Sequence, residues 1–287
     1  MEAFLFALVA LVGWGIGDIL VAVTARRIDA YSAAFWSMFL TVLLFSPYAL
    51  HTIGDLSRLT PQIFLLTVFL ATLLVGGILS YREALRIGNP ALVGTIGAAF
   101  TVVTTILAVV FFREHLTALQ FSFIFLIFIG LFLSSIDLKG VVKRKVKFDR
   151  SVILALISML AWGVYFAFVK IPVREIGWFW PVYISFTLFP VLYIVMKVRS
   201  MPLSKPNVNH ALVPLVVSTF MARVAEFSFN LGISRGFTSI VAPIAGASPV
   251  LFVVLAFFVF KDSITWQQIL GIALTLIGIV FLSVLSS

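Results

Sequence analysis

Continuous apolar runs of about twenty residues, separated by short clusters of charge, glycine and proline, set the pattern of this chain. A run of that length carries an α-helix across the roughly 30 Å hydrocarbon core of a bilayer. Ten are read along the sequence, over residues 3–24, 31–51, 62–86, 90–111, 117–136, 151–171, 178–197, 210–234, 238–259 and 266–285. The breaks fall at Arg26 to Asp29, Asp55 to Pro61, Gly88-Asn89-Pro90, Arg113-Glu114-His115, Lys139 to Arg150, Arg174-Glu175, Arg199 to Asn209, Arg235-Gly236 and Lys261-Asp262. Most connections are a handful of residues, which makes successive helices antiparallel neighbours. The ten-residue alternating strands of a membrane barrel are not seen. The fold class predicted is an all-α polytopic membrane protein with ten transmembrane helices.

Self-similarity organises these helices further. A shift of 148 residues lays Trp14 on Trp162, Gly88 on Gly236, Phe112 on Phe260, Arg113-Glu114 on Lys261-Asp262, Thr117 on Thr265, Gln120 on Gln268 and Gly130 on Gly278. The chain therefore divides into a first five-helix repeat over 1–138, a basic linker over 139–150 and a second five-helix repeat over 151–287. Five is odd, so the second copy enters the membrane the other way up, an inverted-topology repeat of the kind common in secondary transporters.

Charge sets the expected orientation. Of 20 Lys and Arg, 14 fall in or beside the odd-numbered loops, six of them in the cluster from Lys139 to Arg150. The positive-inside rule puts that linker in the cytoplasm and both termini outside. The formal charge of +9 then reads as topology signals and contacts with anionic headgroups of the lipid bilayer, not as a nucleic-acid surface. Composition agrees with this class: 62% of residues are hydrophobic and 11% charged, against about 25% charged in soluble domains. The start Met1-Glu2 has no basic n-region, so the first run is expected to be a retained helix. The absence of cysteine excludes disulfides and thiolate metal sites.

The residues that break the apolar pattern from within are the candidate site. Arg223, Glu226 and Asn230 share one face of the eighth span, and a mid-membrane charge costs about 2.5–3.5 kcal/mol on insertion scales. Arg223 suits a carboxylate or phosphate, Glu226 an amine or counter-charge, and Asn230 a neutral hydrogen bond. Asp18 stands one turn beyond Trp14 in the first span and is read either as a substrate or proton site or as a structural hydrogen bond near a helix end. Gly13 and Gly17 give a small-xxx-small spacing suited to close helix packing. The sixth span places Trp162 and Phe166 at the matched positions, with Tyr165 and Lys170 below them, so the pair of sites is acidic on one side and aromatic on the other. Tyr81 and Arg82 end the third span and are expected at a gate or rim, while Pro243 and Pro249 should kink the ninth span beside the pathway.

With these residues in place, Gly88-Asn89-Pro90 through Phe112-Arg113-Glu114-His115-Leu116-Thr117, Gln120 and Gly130, with the echo from Gly236 through Phe260-Lys261-Asp262-Ser263-Ile264-Thr265, Gln268, Gly271 and Gly278, resemble the EamA-type repeat of the drug/metabolite transporter superfamily. Trp14-Gly15 and Trp162-Gly163 match its aromatic-glycine start. The resemblance implies a central cavity enclosed chiefly by the first, third, fourth, sixth, eighth and ninth helices, with the fifth and tenth peripheral and associated with homodimer contacts. Asp262 replaces the more typical Glu, and Asp18 sits where many relatives carry no acid.

The function expected is a secondary transporter, read as an exporter, moving a small metabolite such as an amino acid or related amphipathic solute by alternating access in the inner or plasma membrane. Proton coupling is an added hypothesis. Alternatives are a multidrug or organic-cation proton antiporter, a passive channel and a lipid flippase. An enzyme is not indicated: His51, His115 and His210 are scattered near span ends, and no catalytic, metal or nucleotide motif requires a cofactor.

Overall fold

In a computed structural model, described over residues 1–25, 27–88, 90–135, 150–206, 211–261 and 264–285, the chain is helical with short connections. The helices are α1 Glu2–Ala25, α2 Ala30–His51, α3 Pro61–Ile87, α4 Pro90–Ala98, α5 Phe100–Phe112, α6 Ala118–Ser135, α7 Arg150–Phe168, α8 Lys170–Ile176, α9 Trp180–Phe186, α10 Phe189–Val198, α11 Val213–Arg235, α12 Thr238–Ala245, α13 Ser248–Phe260 and α14 Trp266–Leu285. Among the described residues, nine stretches are long and apolar enough to cross a membrane. The stretch outside that set is α11, whose 23 residues include Arg223, Glu226 and Asn230. It nonetheless runs along α1, in the most extensive helix contact of the molecule. The linker 139–149, and with it the six-cation cluster apart from Arg150, lies outside the described residues, as do Arg26, Asn89, His210, Asp262 and Ser263.

Local chemistry explains where helices start and stop. Asp29 caps α2 by accepting from Ser32 N at 2.9 Å, and Thr60 accepts from Ile63 N at 3.3 Å ahead of Pro61. Four spans are interrupted, which the apolar pattern alone does not foretell. Pro172 has no N–H for the carbonyl of Phe168, where α7 gives way to α8, and Pro190 has none for Phe186, where α9 ends. The fourth span breaks at Ala99 and the ninth at Gly246-Ala247, which are repeat-related positions. The ninth-span interruption thus falls between Pro243, inside α12, and Pro249, in the first turn of α13. The sixth span also continues further than the sequence pattern suggested, because Arg174 is within α8 and not in a loop.

The repeats interlock. α1 packs on α11 of the other repeat, and its counterpart α7 packs on α3; α1 also packs on α13, and α7 on α5. Two repeat-related glycines permit those last contacts. A Cβ on Gly15 would come within 2.8 Å of Leu251, and one on Gly163 within 2.5 Å of Val103, whose positions are also related by 148. Gly13 is equally tight, 2.9 Å from Ala225 Cβ, whereas Gly17 has ordinary contacts of 3.6 Å and no steric need to be glycine. α6 and α14 pair with each other, Gly130 lying against the backbone of Thr275 and Gly271.

One end of the molecule is tied shut. This is the end carrying the loop after α2, called here the second-loop face. There Glu114 accepts from Lys170 Nζ at 2.7 Å and from the backbone N–H groups of Thr238 at 2.9 Å and Ser239 at 2.7 Å, so its carboxylate caps the first turn of α12. Lys170 also donates to Gly236 O at 3.1 Å. Trp180 Nε1 donates to Thr52 O at 3.1 Å, and Arg235 lies over the Phe6 ring at 4.8 Å.

Candidate functional site

Between the interlocked helices lies a cavity of about 230 Å³. Its lining comes from the first, third, fourth, sixth, eighth and ninth spans, with additions from the second and seventh, such as Ser37 and Phe186. The cavity opens at the opposite end, the first-loop face, because its outermost lining residues are Val21 near the end of α1, Leu85 near the end of α3 and Leu215 near the start of α11. Asp18, deep in the sequence of α1, is correspondingly exposed.

The cavity's aromatic walls are built from the two tryptophans that mark the repeats. Trp14 meets Phe166 edge-on at 5.3 Å and Phe229 at 5.8 Å, while Trp162 meets Tyr81 at 5.2 Å and Phe100 at 5.9 Å. Trp162 Nε1 donates to Leu74 O at 3.3 Å, across a close approach allowed by Gly77. Such rings present wide apolar faces with fixed polar edges.

Charge is concentrated against this wall. Arg223 Nη2 and Glu226 Oε1 are 3.0 Å apart, and the two residues are 4% and 5% exposed. The guanidinium also stacks on Phe186, its Cζ 3.6 Å from the ring centroid. Arg223 Nε and Nη1 and Glu226 Oε2 have no hydrogen-bond partner among the described residues. Arg82 reaches the cavity from α3, within electrostatic range of both Asp18 and Arg223, and makes no hydrogen bond or ion pair to another described residue.

Of the residues singled out from sequence, Trp14, Asp18, Trp162, Phe166, Arg223, Glu226, Tyr81, Arg82 and Pro249 share the cavity wall. Tyr165, Asn230 and Pro243 do not. Tyr165 is 1% exposed and packs on Phe166, and Asn230 is 1% exposed and donates to Trp178 O at 2.9 Å. Pro243 is buried within α12. Phe186 was not anticipated, since the seventh span reads as uniformly apolar and nothing in it marks the ring that stacks on Arg223. Lys170 and Glu114 were visible only as span-end charges, being 56 residues apart in sequence.

The repeat gives these placements a rule. Leu74, Val75 and Ile78 line the cavity, and so do their counterparts Ala222, Arg223 and Glu226. Toward the open end the relation fails: Tyr81, Arg82 and Leu85 line the cavity, whereas their counterparts Phe229, Asn230 and Ile233 are 0%, 1% and 0% exposed. The mid-depth site is shared by both repeats, and the open end is a difference in their conformation.

The EamA-like transporter family matches residues 1–136 and again 149–284. The chain belongs to that family. An EamA-like transporter is a multi-pass integral membrane protein, as the apolar helices require. A solved crystal structure superimposes with a TM-score of 0.81, covering 99% of this chain and 97% of that one at 15% identity, a likeness of fold alone. An uncharacterized protein of Methanocaldococcus jannaschii is 26% identical over 137 residues, which is 47% of this EamA-like transporter and 98% of that relative.

Proposed function

We propose that this EamA-like transporter is a secondary carrier that exports small amphipathic metabolites, amino acids or related solutes among them, by alternating access around the central cavity. The observation carrying this reading is the group of unpartnered polar atoms at mid-depth: Arg223 Nε and Nη1 beside Glu226 Oε2, both residues on the cavity wall. Buried charges without full partners are costly, so stability gives no reason to keep them, whereas on a cavity wall the pair offers both signs of charge to a zwitterion. A volume of about 230 Å³ favours a small solute over the drug-sized ligands that fill roughly 300–1,000 Å³. The open end is the face that the positive-inside count assigns to the cytoplasm, the side on which an exporter loads.

The test is counterflow in proteoliposomes preloaded with an unlabelled amino acid. A carrier gives transient, saturable accumulation of the labelled solute, and flux rising linearly with concentration removes this reading in favour of a channel. Asp18→Asn and Glu226→Gln examine proton coupling in the same assay: loss of the pH dependence of flux is expected, and unchanged rate and pH dependence would refute coupling.

A second reading, an organic-cation antiporter, is favoured by the aromatic walls around the exposed Asp18. It predicts saturable counterflow of a quaternary ammonium probe and none of an amino acid.

A further inference from the structure

Arg82 and Arg223 reach the same cavity from different repeats, on spans that correspond to one another, yet the two arginines do not occupy corresponding positions. The counterpart of Arg223 is Val75, and the counterpart of Arg82 is Asn230. Asn230 is withdrawn from the cavity and held by the carbonyl of Trp178 at 2.9 Å. Arg82 is in the cavity, within electrostatic range of Asp18, and its guanidinium makes no hydrogen bond or short ion pair to another described residue. In an inverted-repeat carrier the two halves exchange conformations when the cavity changes sides. On that exchange Arg223, at shared mid-depth, stays on the wall, Arg82 withdraws as Asn230 does here, and Asn230 enters.

We infer that Arg82 is a one-sided binding residue for the substrate's carboxylate, joining Arg223 when the cavity opens at the first-loop face and leaving the site when it opens at the other. A carboxylate then meets two guanidinium groups on the loading side and one guanidinium plus a neutral amide on the release side. Arg82 feels both the Asp18 carboxylate and the Arg223 guanidinium across the cavity, and a substrate carboxylate adds a negative partner for both arginines at the moment of loading. Asp18 and Glu226, the acids on the same wall, accommodate the ammonium of a zwitterion and oppose a second negative charge. The difference in affinity drives no accumulation by itself; it sets which face holds substrate tightly, and any bias in the empty carrier's equilibrium must come from elsewhere. The inference rests on the carrier reading and deepens it by naming a carboxylate-bearing substrate and the side on which it is held.

The experiment uses three probes of one skeleton: leucine, 4-methylpentanoate and isoamylamine. Half-saturating concentrations are measured in right-side-out and inside-out vesicles. The wild type should take leucine in preference to isoamylamine. Arg82→Gln should raise the half-saturating concentration of leucine at least about tenfold at the first-loop face, the loss expected for one charged hydrogen-bond donor, and leave the opposite face within about twofold. Arg223→Lys should weaken both faces. The melting temperature of ligand-free Arg82→Gln should match the wild type, which separates a binding role from a structural one. Equal weakening at both faces, saturation by isoamylamine as effective as by leucine, or binding of none of the three probes would overturn the inference. Non-saturable flux in the wild type would instead strike the carrier reading itself.

Discussion

Glu114 shows how much one side chain can hold. Burial alone would raise its carboxyl, but the Lys170 ammonium and the backbone N–H of Ser239 outweigh burial and keep it below its ordinary value of 4.5. A carboxylate depressed on folding contributes stability that is present above its unfolded pKa and is lost as pH falls through the folded one. The melting temperature in detergent should therefore be flat from neutral pH to about 4.5 and fall below it. Glu114→Gln should lower stability at neutral pH by about 3–5 kcal/mol, the cost of leaving Lys170 buried without its partner, and flatten the acid limb. An acid limb as steep in the variant as in the wild type would show that other carboxylates govern it. The sequence marked Glu114 as part of a repeated turn motif. Its role as a cap on α12 was not legible there, because the amides it binds lie 124 and 125 residues away. Arg223 and Glu226 were legible, since a charge in an apolar span stands out with no knowledge of its neighbours; Asn230 passed the same test and sits elsewhere, because helical spacing says which face a residue is on but not how far along that face the cavity extends.

At the scale of elements, the apolar runs located the helices to within a few residues, and the repeat located their matching turns. Arg113 and Lys261, 148 apart, both end their spans in the left-handed region, at φ 51° and 62°. The interruption at Ala99 has no proline or glycine at the break to mark it, whereas the one at Gly246-Ala247 falls between the two prolines expected to kink the ninth span; beyond the breaks, α5 and α13 cross α7 and α1 closely. Those crossings give a comparison between related sites. Gly163→Ala would drive a methyl to 2.5 Å from Val103 Cβ, an atom fixed to the backbone, whereas Gly15→Ala would meet Leu251 Cδ2 at 2.8 Å, the mobile end of a side chain, with Leu251 Cβ at 2.9 Å. Gly163→Ala is expected to cost about 1–3 kcal/mol and Gly15→Ala less, measured by thermal unfolding of the purified variants. Equal losses would mean that Leu251 is as constrained as Val103.

For the whole molecule, the relation between repeats is also a statement about a second conformation. The relative from Methanocaldococcus jannaschii is matched over 98% of its length by 137 residues, about the length of one repeat match here. Two such units fused in opposite orientation have no intrinsic reason to differ in shape, yet here Leu85 lines the open cavity and its counterpart Ile233 is 0% exposed. On the proposed carrier mechanism, alternating access turns that asymmetry into an exchange: in the opposite state Ile233, Asn230 and Phe229 should face the cavity, and Tyr81, Arg82 and Leu85 should be packed away. The clamp of Glu114, Lys170 and the α12 amides must open for this to happen, because it ties the loop after α5 to the second repeat on the closed face. The chain has no cysteine, so single-cysteine variants report one position each. Leu85→Cys should react with an impermeant maleimide from the first-loop face, and Ile233→Cys should be protected there and react slowly from the second-loop face. Adding Glu114→Gln to each should shift the balance, raising the reaction of Ile233→Cys and lowering that of Leu85→Cys together. A rise at Ile233 with no fall at Leu85 would indicate local loosening of the closed end, in place of an exchange of states.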